Sequence, residues 1–293
     1  MEICITIPAY NEEETIGSVI SKIKKVMEEN KYNYKILVID DGSKDNTAKI
    51  AKELGAIVFS HQKNNGLAET FRTEMKKAIE LNPDIIVHID ADNQYIPSEI
   101  PNLIKPIIDK KADIVLGSRF KGKIESMPLI KRLGNKAFSK VISNITKTKI
   151  SDGQTGFRAF TKEVAKMNIQ SDHTYTQEQI IKAVKNKFRL TEVPAYFAKR
   201  KDKSRLMKNP FDYAIKAWVN ILRVYRDYEP LRFFGYFGGA FITIGLLLGI
   251  WILITLLKTG GVGGIPRVIL SALFIMTGVQ IMLFGFLADM NRK

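Results

Sequence analysis

Two long uncharged segments near the C-terminus constrain this chain more than any other feature. One runs from residue 233 to 257 and the other from 268 to 288. Crossing the hydrocarbon core of a bilayer takes about 20 apolar residues in a helix, so each segment is long enough. Buried helices of soluble proteins are usually shorter and keep a polar stripe. The sequence therefore predicts two membrane spans joined by a short loop.

The basic residues predict how this hairpin is oriented. Ten lysines and arginines lie between Lys199 and Arg232, just before the first span. The loop between the spans carries only Lys258 and Arg267. Positively charged flanks stay on the cytoplasmic side. Because no basic leader precedes the short apolar run at the N-terminus, we expect no signal peptide and place both termini in the cytoplasm.

The formal net charge of +15 at pH 7 indicates anionic partners. Nucleic acids are one such class, and anionic lipids and phosphorylated ligands are another. No nucleic-acid-binding module is recognisable, so the predicted spans favour membrane lipids and exclude nucleic acid from the expected partners. The single cysteine, Cys4, excludes a disulfide within the chain.

The residues before the spans alternate between strand and helix patterns. Strands are predicted at residues 2–8, 35–40, 56–59, 84–90, 112–117 and 189–194, and residues 151–160 are predicted as a loop that leads into a short strand. Helices are predicted at residues 13–30, 45–54, 68–81, 98–109, 129–146 and 176–186. Such alternation predicts an α/β fold with a mostly parallel sheet covered by helices.

A basic amphipathic helix is predicted immediately before the first span. Residues 209–228 place Trp218 and other apolar side chains on one face and arginines among the remaining positions. Packing on the domain core is the alternative to a position at the membrane interface. We therefore predict three parts, listed by residue: a catalytic domain over 1–208, a juxtamembrane helix over 209–232 and a transmembrane hairpin over 233–293.

Acidic residues follow three of the predicted strands. The segments are P-A-Y-N-E at 8–12, D-D-G-S at 40–43 and D-A-D-N-Q at 90–94. Ligands of a parallel sheet bind beyond the carboxyl ends of its strands. No glycine-rich phosphate loop follows the first strand, so a phosphate facing these acids needs a cation. The Asp90-x-Asp92 spacing suits Mg²⁺ or Mn²⁺, although a solvated acidic turn is the alternative.

These three segments, together with G-S-R at 117–119 and G-F-R at 156–158, occur in the order seen in family 2 glycosyltransferases. Over residues 3–232 the chain resembles, within that family, the dolichol-phosphate mannose synthases and archaeal polyprenyl-phosphate glycosyltransferases. The resemblance implies a GT-A fold, in which a nucleotide-sugar-binding half precedes an acceptor half. One departure is the segment at 64–68, which lacks a lysine and a glycine that the family often has on the phosphate side.

The resemblance also implies roles for individual residues. The donor's base and ribose would contact Pro8, Tyr10, Glu12, Asp40 and Asp41. The metal and the donor diphosphate would contact Asp90, Asp92 and Gln94. The acceptor phosphate would contact Arg119, Arg132 and Ser204. The catalytic segment near the sugar would contribute Asp152, Gln154, Thr155 and Arg158, and Arg200 would close over the donor phosphates.

The implied reaction is a metal-dependent, inverting transfer of a sugar from GDP-mannose or a UDP-hexose to a polyprenyl (dolichyl) phosphate at the cytoplasmic membrane face. An acceptor phosphate is already an anion, which suits a sequence in which His61, His88 and His173 form no cluster. Transfer to a lipid or polysaccharide hydroxyl is the first alternative and needs a base, for which Glu178 or Asp152 could serve. A non-catalytic membrane scaffold is the second alternative.

Glycines in the first span leave self-association of the hairpin open as a further expectation. They are Gly235, Gly238, Gly239, Gly245 and Gly249.

Overall fold

The computed structural model describes residues 1–172, 174–199, 210–262 and 264–291. The chain forms two compact units, Met1–Ala217 and Trp218–Lys293. Three predicted residues, His173, Arg200 and Ser204, lie outside the described residues. The three-part division at residues 208 and 232 remains a prediction.

The first unit is built on a seven-stranded sheet. Its strands are β1 (Glu2–Ala9), β2 (Asn33–Asp40), β3 (Ile57–Ser60), β4 (Ile85–His88), β5 (Ile114–Ser118), β6 (Arg158–Thr161) and β7 (Leu190–Pro194). They are ordered β3-β2-β1-β4-β6-β5-β7. All neighbouring pairs are parallel except those that β6 makes with β4 and β5. The predicted α/β fold with a mostly parallel sheet is confirmed.

Helices connect and cover the strands. In chain order they are α1 (Ile16–Glu29), α2 (Thr47–Glu53), α3 (Leu67–Glu80), α4 (Ile100–Ile108), α5 (Leu129–Thr146), α6 (Lys162–Ala165) and α7 (Tyr175–Lys185). Helix α1 begins three residues later than predicted, because residues 10–15 form the loop that follows β1. A short 3₁₀ turn at Pro97–Glu99 precedes α4.

The core lies between this sheet and its helices. Ile3, Ile5 and Ile7 of β1 are fully buried, as are Ile20 and Ile23 of α1. Burying one such side chain contributes about 1.5–3 kcal/mol, so β1 and α1 form a firm base for the loops at the carboxyl edge of the sheet.

Three long helices follow: α8 (Pro210–Tyr228), α9 (Pro230–Thr259) and α10 (Ile265–Met290). By length and composition α9 and α10 could each cross a membrane. They pack as an antiparallel pair along small residues spaced by seven. These residues are Gly238 and Gly245 on α9 and Ser271, Gly278 and Gly285 on α10.

Backbone contact between α9 and α10 explains this spacing. A Cβ added to Gly238 would lie 2.7 Å from the carbonyl oxygen of Gly278. The hydroxyl of Ser271 donates to the carbonyl of Gly245 at 2.7 Å. Gly238 and Gly245, two of the glycines expected to permit self-association, therefore mediate contact between α9 and α10 of the same chain. By contrast, a Cβ at Gly235 or Gly239 would meet nothing within 4 Å in the described part of the chain.

Candidate active site

The loops that follow β1 and β2 are locked together. The backbone N–H of Asn11 donates to Ser43 Oγ at 2.8 Å, and the N–H of Lys44 donates to Asn11 Oδ1 at 2.8 Å. The N–H of Glu12 donates to Thr47 Oγ1 at 2.8 Å. Asn11 has φ +52°, a left-handed conformation that asparagine tolerates well. The edge predicted to receive the nucleotide is thus one connected surface.

The five predicted donor contacts differ in exposure along this surface. Tyr10 and Glu12 are half-buried, whereas Pro8, Asp40 and Asp41 are buried. β1 and β2 pair in parallel with Pro8 and Ala9 opposite Ile39 and Asp40, which brings these residues to the same sheet edge. Their contacts with a donor remain predictions.

Asp41 organises the loop after β3. Its carboxylate accepts the backbone N–H groups of Asn65 and Gly66, each at 2.9 Å. Its Oδ1 also lies 2.8 Å from Nδ1 of His61, whose Nε2 lies 3.0 Å from Thr73 Oγ1. The segment that departs from the family pattern is therefore held by a buried carboxylate of the predicted site.

The D-A-D-N-Q segment forms a turn after β4. Asp92 Oδ1 accepts the N–H of Gln94 at 3.1 Å, and Asn93 has φ +59°. The amide nitrogen of the Gln94 side chain donates to the carbonyl of Ala198 at 3.3 Å, and the N–H of Ala198 donates back to the Gln94 carbonyl at 2.8 Å. This turn is therefore fixed against the segment that leads to residue 200.

Asp90 lies directly on Gly156 of the G-F-R segment. A Cβ added to Gly156 would lie 2.4 Å from Asp90 Oδ2 and 3.0 Å from its Cγ. Any larger residue at position 156 would displace this carboxylate. The glycine of G-F-R is explained by the space that Asp90 needs.

Asp90, Asp92 and Gln94 offer two carboxylates and an amide oxygen, a donor set that suits a hard divalent cation. Within the described ranges, no group of three or more His, Cys, Asp or Glu residues could hold a metal ion. Bound phosphate groups and water usually complete the shell of Mg²⁺ at such sites.

Arg119 and Asp152 form a buried ion pair. Asp152 Oδ2 accepts the Arg119 backbone N–H at 3.0 Å and its Nε–H at 2.7 Å, while Oδ1 accepts from Nη2 at 2.8 Å. The guanidinium also lies over the ring of Phe197, with its carbon 5.1 Å from the ring centroid. Burial lowers the pKa of Arg119, but Tyr95 and Asp152 outweigh it, so the net shift is upward and the group stays charged.

Arg158 faces the protein interior and is fully buried. Its Nη1 donates to Gln179 Oε1 at 2.9 Å and to the Thr176 carbonyl at 3.1 Å, and its Nη2 donates to the Thr155 carbonyl. Burial lowers its pKa. Arg158 thus ties the start of β6 to α7. Its predicted catalytic role remains a prediction.

The other predicted residues lie in different settings. Arg132 is exposed on α5, and Gln154 is half-buried in the loop before β6. The carboxylate of Glu178 accepts the N–H groups of Gln170 at 3.0 Å and Ser171 at 2.7 Å. It also lies 2.7 Å from Lys182 Nζ. Glu178 therefore holds the loop before α7.

The sequence did not predict a buried pair behind Asp90. Glu74 of α3 places Oε2 3.0 Å from Nδ1 of His88, and Nε2 of His88 lies 3.9 Å from Asp90 Oδ1. Burial raises the pKa of Glu74. Burial lowers the pKa of His88, but Glu74 outweighs it and the net shift is upward. The sequence contained one sign of this pair, because Glu74 lies on the apolar face of α3 together with Phe71 and Met75.

Comparison with known proteins identifies the family. The model of glycosyl transferase family 2 matches residues 4–167. The chain belongs to this family. By family, the chain is a glycosyltransferase. Its sheet and its similarity to solved structures show that it has the GT-A fold.

Two curated relatives are similar over most of their length. The UDP-N-acetylglucosamine–dolichyl-phosphate N-acetylglucosaminyltransferase of Methanococcus voltae is 37% identical over 216 residues, covering 66% of this chain and 84% of the relative. The dolichol-phosphate mannosyltransferase of Pyrococcus furiosus is 30% identical over 287 residues, covering 93% of this chain and 78% of the relative.

A solved structure shares the fold. Glucosyl-3-phosphoglycerate synthase from Mycobacterium tuberculosis, crystallised with Mn²⁺ and UDP-glucose, superposes with a TM-score of 0.58 at 19% identity. The match covers 76% of this chain and 78% of that chain.

Proposed function

We propose that this glycosyltransferase moves a sugar from a nucleoside-diphosphate sugar to a polyprenyl phosphate, such as dolichyl phosphate, at the cytoplasmic face of a membrane. Two relatives carry names that specify dolichyl or dolichol phosphate as the acceptor. Helices α9 and α10, which could cross a membrane, suit an acceptor whose tail stays in the bilayer.

One observation favours a phosphate acceptor over a hydroxyl acceptor. A hydroxyl needs a general base, and the two carboxylates predicted for that role are already engaged. Asp152 accepts three bonds from Arg119, and Glu178 accepts backbone N–H groups and contacts Lys182. An acceptor phosphate is an anion at neutral pH and needs positioning but no deprotonation. The arrangement of Arg119 and Asp152 therefore supports transfer to phosphate.

On the donor side, Asp90, Asp92 and Gln94 would hold Mg²⁺ or Mn²⁺. A divalent ion there would neutralise charge on the leaving diphosphate. The related fold crystallised with Mn²⁺ and UDP-glucose supports a divalent ion and a nucleotide sugar. Tyr10 and Glu12 would orient the nucleotide, and Arg200 would cover the phosphates. Attack in line with the departing diphosphate would invert the anomeric carbon.

On the acceptor side, helix α5 carries the features of a membrane-facing surface. Leu129 and Leu133 are 75% and 66% exposed at its start, and Arg132 is exposed beside them. Apolar side chains next to a cation suit the headgroup region of an anionic bilayer. Arg132 would therefore meet the acceptor phosphate at the level of the headgroups, and Arg119 would complete the site.

A transfer assay on the full-length protein in detergent tests this proposal. Polyprenyl phosphate is incubated with GDP-mannose, UDP-glucose or UDP-N-acetylglucosamine and either Mg²⁺ or Mn²⁺. We expect sugar on the lipid phosphate, lost on chelation of the metal and lowered at least about 100-fold in Asp92→Ala. Asp109→Ala, on the surface after α4, is the matched control and should retain activity.

Other outcomes separate the alternatives. Donor hydrolysis without a glycosylated lipid phosphate would indicate a hydroxyl acceptor. Folded protein with no turnover of any donor, and no difference between wild type and Asp92→Ala, would favour the scaffold.

A further inference from the structure

A buried carboxylate on β7 lies beside the acceptor half of the site. Glu192 pairs in register with Leu116 of β5, and its side chain is 2% exposed. A charged group at this depth is costly unless its oxygens accept hydrogen bonds from fixed donors. The identity of those donors indicates what the residue does.

Both oxygens of Glu192 are fully used. Oε1 accepts the backbone N–H groups of Ser151 at 2.8 Å and of Asp152 at 3.1 Å. Oε2 accepts the hydroxyl of Ser151 at 2.8 Å and lies 3.0 Å from Lys121 Nζ. The side chain therefore fixes two successive peptide groups of the loop before β6.

The same loop carries the partner of Arg119. The Asp152 carboxylate accepts hydrogen bonds from the backbone N–H, Nε and Nη2 of Arg119. This three-point contact requires the Asp152 backbone to be held in place. The contacts thus run from Glu192 through the backbone of residues 151–152 to the guanidinium of Arg119.

We propose that Glu192 is a positioning residue that aims Arg119 at the acceptor phosphate by fixing the backbone of Ser151 and Asp152. The proposal rests on the acceptor site proposed above. A displacement of about 1 Å at a catalytic group can cost up to about 100-fold in rate, so loss of this contact should be visible in the kinetics.

The competing explanation is a simple ion pair between Glu192 and Lys121. The Lys121 side chain is 46% exposed. Solvent screens an exposed ammonium, so such a pair contributes little. The two explanations make opposite predictions for two conservative substitutions.

Glu192→Gln keeps the length of the side chain and removes its charge. The amide oxygen can still accept both backbone N–H groups. Glu192→Asp keeps the charge but is one methylene shorter, so the carboxylate withdraws from both backbone N–H groups while the flexible Lys121 can follow it. We expect Glu192→Asp to raise KM for polyprenyl phosphate, or lower kcat, about tenfold. Glu192→Gln should stay within about threefold of wild type.

The donor kinetics distinguish a positioning role of Glu192 from a merely structural role, because a structural defect would affect donor and acceptor alike. KM for the nucleotide sugar and the affinity for Mn²⁺ alone should stay within about twofold in both variants. Parallel loss of donor and acceptor kinetics, or a larger defect in Glu192→Gln than in Glu192→Asp, would overturn the proposal.

Asp113→Asn is the matched control. Asp113 clamps the opposite ends of the same two strands, accepting from the Arg189 backbone at 2.8 Å, from Nε at 2.9 Å and from Nη2 at 2.7 Å. This variant should lose thermal stability with no change in KM for the acceptor.

Two further measurements cover the cases in which Glu192→Asp does not fold or the wild type transfers no sugar. If Glu192→Asp does not fold, Lys121→Ala removes only the ion pair and leaves both backbone contacts of Glu192 in place. Acceptor KM should then stay within about threefold of wild type, and a rise of about tenfold would overturn the proposal. If wild type transfers no sugar, the proposed function fails by itself. Amide hydrogen exchange then tests the clamp, since residues 151–152 should exchange faster in Glu192→Asp than in wild type, and equal rates would refute it.

Discussion

At the scale of single residues, the site depends on close packing beneath its carboxylates. Gly156 leaves room for Asp90, because a Cβ would approach its Oδ2 to 2.4 Å. Behind Asp90, His88 and Glu74 are buried and paired. The position of this carboxylate is therefore set from two directions.

Gly156→Ala tests this dependence. The added methyl should displace Asp90 and reduce both Mn²⁺ affinity and transfer, by about tenfold or more. Mn²⁺ binding to the purified variant and kcat/KM for the donor measure the effect. Gly17→Ala is the control, because a Cβ in α1 would meet Ile50 Cγ2 at 3.4 Å and Leu54 Cδ1 at 3.7 Å, both ordinary contacts. Unchanged Mn²⁺ affinity in Gly156→Ala would show that Asp90 does not bind the metal.

At the scale of elements, α5 has two different faces. Its buried face includes Phe138 and Ile142, whereas Leu129 and Leu133 lie exposed at its first turns. Exposed leucines on an otherwise amphipathic helix favour contact with a membrane or another apolar surface.

The double substitution Leu129→Asp and Leu133→Asp should weaken this contact. We expect KM for polyprenyl phosphate in anionic vesicles to rise about fivefold or more, because two carboxylates repel anionic headgroups. With a short-chain acceptor soluble in water, KM should stay near that of wild type. Ile108→Asp, at an apolar position of α4 that is 37% exposed, is the control. An equal rise for both acceptors would place the defect in the phosphate site instead.

The hairpin of α9 and α10 makes a second prediction at this scale. A Cβ at Gly278 would lie 2.6 Å from Ile242 Cγ1 and 2.7 Å from the Gly238 carbonyl. Gly278→Leu should therefore separate the helices and destabilise the hairpin by about 1–3 kcal/mol. Thermal unfolding in detergent measures this loss.

Gly239→Leu is its matched control. A Cβ there meets nothing within 4 Å in the described residues, so the stability of the hairpin should not change. A change in oligomeric mass in Gly239→Leu alone would assign that face to contact between copies of the chain. Equal destabilisation by both variants would contradict the packing described here.

At the scale of the whole molecule, the sequence predicted the α/β fold, because hydrophobic periodicity and chain order indicate it. It placed the carboxyl ends of the six predicted strands within two residues of their positions in the structure. It did not predict the partners of Asp41, Arg119 and Arg158. Aspartate and arginine side chains bind ligands as readily as they bind neighbouring protein groups. Which partner it takes depends on contacts between distant segments, such as Arg119 with Asp152, that local patterns do not encode. Glu74 was missed for the same reason, since its partner His88 lies on a strand.

Strand β6 runs antiparallel to its two neighbours, and this direction determines which substrates a change in the loop before it would affect. Because β6 lies between β4 and β5 and runs against both, its leading loop enters the crevice between Asp90 and Arg119. Through Asp152 that loop contacts Arg119, and through Gly156 it lies against Asp90. On the roles proposed above, changes in loops 40–47 or 61–66 would affect the donor alone. On the same roles, a change at residues 152–156 would affect both substrates, because this loop contacts Arg119 and Asp90 alike.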